Sequence, residues 1–143
     1  MTLNDASRAD LTRNQALVFE ALSRAHAPLT AYTILDQLRS EGFRAPPQVY
    51  RALEKLVEIG MVHRLESINA FVACSHPGCG THSTVAFTIC DICGQVSELN
   101  DHALSHALDG IALEADFALR KSTVELRGRC GQCRSGQRVN APA

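Results

Sequence analysis

A chain of 143 residues with a formal net charge of −1 and a pI near 6.6 allows one compact domain or two small ones, and offers no bulk attraction for a polyanion. No apolar run reaches the roughly 18 to 20 residues of a membrane span, and "MTLNDASRAD" lacks the charged and apolar blocks of a secretory signal, which predicts a cytoplasmic protein with no membrane partner. Thiols stay reduced in that compartment, so the six cysteines argue for metal binding or catalysis ahead of structural disulfides.

Cysteine is absent before Cys74, and turn-formers crowd "SHPGCGTHST" over residues 75–84. The expected organisation is a first domain over 1–75, a linker over 76–84, a second domain over 85–136 and a frayed tail over 137–143. In "TRNQALVFEALSRA", Thr12 is placed to cap a helix whose stripe is Leu17, Ala21, Leu22 and Ala25. "LTAYTILDQLRSEG" repeats the arrangement with Thr30 as cap, Ala31, Ile34, Leu35 and Leu38 as stripe, and Gly42 as stop. A third helix opens at "APP", residues 45–47, because proline suits a first helical turn. Its apolar side is Val49, Leu53, Leu56 and Val57, and Gly60 ends it. "MVHRLE" and "AFVAC" then read as two short strands about a turn at Ser67–Asn69.

Three short helices and a hairpin outline a winged helix-turn-helix. Gln48, Arg51 and Lys55 lie on the polar side of the third helix, where a recognition helix meets base edges. Arginine grips guanine O6 and N7 with two hydrogen bonds, and Tyr50 or Tyr32 has the reach for a phosphate or a thymine methyl. The plainer alternative is a solvated helix face with Tyr50 half-buried. Residues 1–66 hold eight Lys or Arg and eight Asp or Glu. Any affinity for DNA must therefore come from where the arginines stand.

The second half reads as α+β. "STVAFTIC" and "GQVSEL" are strand-like, Asp101 to about Leu113 is helical with Leu104, Ala107, Leu108 and Ile111 in register, and "STVELRG" is a returning strand. Cys90 and Cys93 sit where the first strand turns into the second, Cys130 and Cys133 follow the last, and 36 residues separate the pairs. That length accommodates a strand, a helix and a strand, so the pairs have room to meet. Four thiolates satisfy a tetrahedral zinc and leave no position for water, which makes the centre structural. A redox role requires a C-x-x-C at a helix N-terminus; neither pair is expected there, and one would go unused.

Cys74, His76, Cys79 and His82 remain, near His63 on one wing strand and Glu98 on the strand after the first pair. Two ligand sets are open: His63, Cys74, His82 and Glu98, or Cys74, His76, Cys79 and His82. Either has the mixed character of a zinc site, and the thiolate disfavours harder ions such as Mn or Mg. His102 and His106, one helical turn apart, are expected on a solvated face.

"PPQVYRALEKLVEIGMVHRLE", "AFVAC", "TICDICG" and "LRKSTVELRGRCGQC" together resemble the ferric uptake regulator family of bacterial metal-responsive transcription factors, from about residue 10 to residue 135. The likeness is greatest to its zinc uptake regulator branch: "MVHRLES" has that branch's His, and "THSTVAFTIC" lacks the His-rich run of the iron and peroxide branches. The resemblance implies an N-terminal winged helix followed by a small α/β dimerisation domain. It implies two zinc ions per chain, a structural one on Cys90, Cys93, Cys130 and Cys133 and a sensing one on His63, Cys74, His82 and Glu98. Tyr32 and Arg51 match the positions that read DNA, with Tyr50 beside them in the "VYR" signature. His76 and Cys79 are additions to the family pattern and stand as possible extra ligands.

The implied protein is a zinc-loaded homodimeric repressor on operator DNA, neither an enzyme nor a binder of a small-molecule substrate. Within the family, iron or peroxide sensing is the alternative. A zinc deaminase would need an H-x-E, which is absent, and a proline before the C-x-x-C, where Ile89 stands. A zinc chaperone would explain the thiols and leave "VYRALEKL" without a purpose.

Overall fold

The computed structural model describes residues 10–25, 27–74 and 84–136. The chain divides into two compact units, Met1–Thr81 and His82–Ala143.

In the first unit, helix α1 spans Arg13–Arg24, α2 Ala31–Gln37 and α3 Pro46–Glu58, followed by strands β1, Val62–Leu65, and β2, Ala70–Ala73. Local chemistry sets the helix starts. Thr12 and Gln15 form a reciprocal capping box, each side chain accepting from the other's backbone N–H at 3.1 and 3.2 Å. Thr30 Oγ1 accepts from the Thr33 amide, and Pro46 and Pro47 occupy the opening of α3, where no amide is needed. Helix α2 ends earlier than its expected Gly42 stop; a 3₁₀ turn over Arg39–Glu41 carries the chain to Gly42, whose φ of +101° only glycine adopts without strain.

The three helices close on one core of Val18, Leu22, Ile34, Leu35, Val49, Leu53, Leu56 and neighbours. The α2 stripe is buried as expected, whereas in α1 the centre of the buried face is Val18 and Leu22, with Leu17 at its margin. The spacing 18/22 is the same i, i+4 row displaced by one residue, a choice made by the facing helix. β1 and β2 pair antiparallel from Val62↔Ala73 to Leu65↔Ala70, and Leu29 and Phe71 exchange hydrogen bonds of 3.0 and 2.8 Å that tie the α1–α2 connection to the wing. Leu53 is 1 % exposed at the centre of this core. Leu53→Ala is expected to destabilise the first unit by about 2 to 5 kcal/mol, read as a lowered midpoint in denaturant titration of the full chain.

In the second unit β3, Thr84–Cys90, lies between β4, Val96–Leu99, and β5, Ser122–Gly128. β3 pairs antiparallel with β4 and parallel with β5, so the chain crosses over through helix α4, His102–Glu114. Asp101 caps α4 by accepting from the amides of Ala103 and Leu104. Of the expected α4 stripe, Leu104 and Leu108 are half-buried while Ala107 and Ile111 are exposed, Ile111 by 62 %; beside it Ala112 is buried, and Leu113 is 82 % and the following Phe117 65 % exposed. Among the described residues, no helix is long and apolar enough to cross a membrane.

Candidate metal centres and nucleic-acid interface

The parallel β3–β5 ladder ends at Cys90↔Gly128 and is prolonged by a bond from the Asp91 amide to the Gly128 carbonyl, 2.8 Å. Both C-x-x-C segments therefore leave the sheet side by side. Each bends back on its first sulfur: the Cys93 amide donates to Cys90 Sγ and the Cys133 amide to Cys130 Sγ, both at 3.5 Å. A third amide, of Cys130, donates across the pairs to Cys90 Sγ at 3.3 Å. Gly94 follows the first pair with a φ of +77°, a conformation that lets its amide return to the Cys90 carbonyl. Arg127 holds Asp91 from the neighbouring strand, donating through Nε and Nη2 to one carboxylate oxygen at 3.0 and 2.8 Å.

All four sulfurs lie within 4.8 Å of one another, and those of Cys93 and Cys130 are 3.7 Å apart. A tetrahedral zinc with bonds of about 2.3 Å sets its sulfurs about 3.8 Å apart, while a disulfide needs about 2.05 Å. The four residues fit a zinc ion. Amide hydrogen bonds from Cys93 and then Cys130 draw the Cys90 thiol down from 9.0 to about 6, despite burial, whereas burial first and the neighbouring sulfurs second push Cys133 up to about 12. A bound divalent cation would favour the thiolate form of its ligands.

One sequence expectation needs correction here. Cys130 caps a helical turn, α5, over Gly131–Arg134, so the second pair does stand at a helix start. The cause is the cap itself: Cys130 Sγ takes the Cys133 amide as Ser or Asp oxygen does in an ordinary cap. One turn gathers the two sulfurs, and the convergence of all four remains that of a metal centre.

On the wing, register brings two further ligands together. His63 faces Val72 in the ladder, and the Cys74 amide donates to the Met61 carbonyl at 2.8 Å, so His63 and Cys74 are diagonal neighbours on one face. Their ligand atoms lie within 4.8 Å, with His63 only 6 % exposed. Glu98 is half-buried in β4, paired with Phe87. His76, Cys79 and His82 lie outside the described residues.

The expected DNA-facing residues separate into three kinds. Tyr32, the second residue of α2, is 63 % exposed, and Arg51 is exposed on α3. Tyr50 instead packs against the core. Gln48 acts locally, its Oε1 accepting from the amides of Arg44, 2.6 Å, and Ala45, 3.1 Å, and so closing the start of α3. A glutamine three residues into a helix is the signal of that cap.

A winged helix-turn-helix followed by an α/β unit with a four-thiol centre defines a metal-dependent DNA-binding regulator. No family model matches the chain. Over 124 residues it is 38 % identical to the zinc uptake regulation protein of Escherichia coli K12, covering 86 % of this chain and 72 % of that one. Its fold matches a zinc uptake regulator complexed with zinc and DNA with a TM-score of 0.81 and 36 % identity, over 92 % of this chain and 89 % of the other. The crystal structure of holo XcZur matches with a TM-score of 0.78 and 40 % identity, over 87 % and 86 %. The chain belongs to the ferric uptake regulator family, in its zinc uptake regulator branch.

Proposed function

We infer that this chain is a zinc-responsive transcriptional repressor that binds operator DNA and controls genes of zinc uptake. The likeness to a regulator complexed with zinc and DNA, at 36 % identity over 92 % of the chain, carries the reading. We further propose two zinc ions per chain, one on Cys90, Cys93, Cys130 and Cys133 and a regulatory one on His63, Cys74, His82 and Glu98. The adjacency of His63 and Cys74 supports the second set; His76 and Cys79 stand as possible extra ligands.

The working form is a homodimer in the cytoplasm, joined through the second units. The exposed Ile111, Leu113 and Phe117 support that surface, because apolar side chains of this size gain from being covered. Helix α3 enters the major groove, with Arg51 reading bases and Tyr32 contacting DNA beside it. The regulatory zinc, when bound, supplies a four-coordinate cross-link between ligands of the wing and ligands beyond residue 81. Those residues thereby fix the spacing of the two α3 helices of a dimer, and half-sites one helical turn apart, roughly 34 Å, accept only one spacing. Thiolate and imidazole donors favour zinc over harder ions.

A gel shift on duplexes selected from a random pool tests the reading. The protein is expected to retain DNA with zinc and release it on chelation. Equal retention under both conditions, or activation by ferrous ion and not by zinc, overturns it.

A further inference from the structure

The first unit poses an electrostatic puzzle, since its cations and carboxylates balance and yet it is read as holding a polyanion. The ion pairs resolve it. Seven of its Lys and Arg residues are described, and five are matched by carboxylates: Arg13 with Glu41, Arg24 with Glu20, Arg39 with Asp36, Lys55 with Glu58 and Arg64 with Glu66. Among the described residues, Arg44 and Arg51 have no carboxylate partner, and both are exposed. These two stand seven positions apart, one just before α3 and one within its first half. Surface pairs contribute little to stability, but they do neutralise charge locally. Among the described residues, the cations of this unit without a carboxylate partner thus stand at one end of the helix assigned to the groove.

Arg44 also has a fixed backbone. Phe43 beside it is 2 % exposed in the core, and the Arg44 amide is held by Gln48 Oε1 at 2.6 Å. Its guanidinium hangs from an anchored point and makes no hydrogen bond among the described residues. Arg51 projects from the helix itself, where base edges are within reach; Arg44 precedes the helix, at the margin of the groove, where the duplex presents its phosphates.

We propose that Arg44 is a phosphate-contacting residue that seats α3 on the operator and reads no base. This rests on the DNA-binding reading above. A phosphate contact and a base contact leave different signatures: the first sets salt dependence, the second sets sequence preference. Each phosphate neutralised contributes about 0.9 to the slope of log K against log salt, so a dimer has about 1.8 to lose.

The test uses zinc-loaded full-length protein and a duplex selected by the wild type, with fluorescence anisotropy from 50 to 200 mM KCl and a panel of single-base variants. Arg44→Gln is expected to bind about tenfold more weakly on every duplex, with the slope reduced by about 1.8. Arg44→Lys keeps most of the slope, and Arg51→Gln loses discrimination at particular bases. Unchanged zinc content and circular dichroism show that the variants are folded. An unaltered slope in Arg44→Gln overturns the proposal, as does a loss of preference at one base pair. Failure of the wild type to select or bind any duplex overturns the DNA-binding reading itself, and Arg44's role with it.

Discussion

Cys133→Ser is expected to release zinc from the four-thiol centre and unfold the second unit, while the first unit keeps its structure. The second unit has one three-stranded sheet, and its helix α4 leaves large apolar side chains exposed, so little of its stability comes from burial. Structural zinc in small domains contributes about 10 to 16 kcal/mol, against about 5 to 15 kcal/mol for the net stability of a whole domain. Losing one of four ligands removes more than such a sheet holds in reserve. Hydrogen exchange with zinc analysis reads both parts: the amides of Val85–Ile89 should lose protection and those of Val49–Leu56 should keep it. Full zinc content with wild-type protection at Val85–Ile89 in Cys133→Ser would sink the assignment.

The same centre has a pH dependence whose sign follows from its thiols. With Cys90 lowered to about 6, its preference for the thiolate stabilises the metal-free fold above its unfolded value near 9, and that contribution is lost as pH falls through about 6. Cys133, raised to about 12, gives up a proton when it becomes a ligand. Zinc uptake therefore releases protons, and affinity for zinc is expected to fall steadily on acidification from pH 8 to pH 5 in a competition with a chromogenic chelator.

The second large effect is functional. In reducing buffer, Cys74→Ser is expected to yield a folded dimer with one zinc per chain in place of two, and DNA affinity indifferent to added zinc. Allosteric couplings of about 1 to 3 kcal/mol correspond to about 5- to 150-fold in affinity, and that factor is what the variant should lose. His63→Ala should behave alike, because the two ligand atoms lie within 4.8 Å of each other. The measurement is operator affinity across a buffered zinc series, with metal content determined alongside. A normal zinc response from Cys74→Ser removes Cys74 from the regulatory set.

Much of the fold was legible from the order of residues because it depends on chemistry a few positions apart. Thr12, Thr30 and the C-x-x-C pairs act through amides three residues away, and Pro46 through the first-turn amide it does not need, so their spacing alone identifies helix starts and sulfur pairs. Gln48 also has a local role that its type does not announce. Its type suits base recognition, and only the conformation of Arg44 and Ala45 shows its carbonyl oxygen engaged at the helix start. The helical turn after Cys130 was likewise hidden, since sulfur is an uncommon cap and four residues carry no periodicity.

By itself the sequence determined the three-helix-and-hairpin half, the α/β half, the two cysteine pairs and the family likeness, because each is a matter of local spacing or residue order. Tertiary structure alone decided that the pairs converge, that His63 and Cys74 share a face, that Val18 rather than Leu17 centres its stripe, and that, among the described residues of the first unit, two arginines have no carboxylate partner while five cations are matched. Those outcomes depend on strand register and on which carboxylate lies across a fold. Residues 40 positions apart, such as Cys90 and Cys130, meet only once the ladder between their strands has formed.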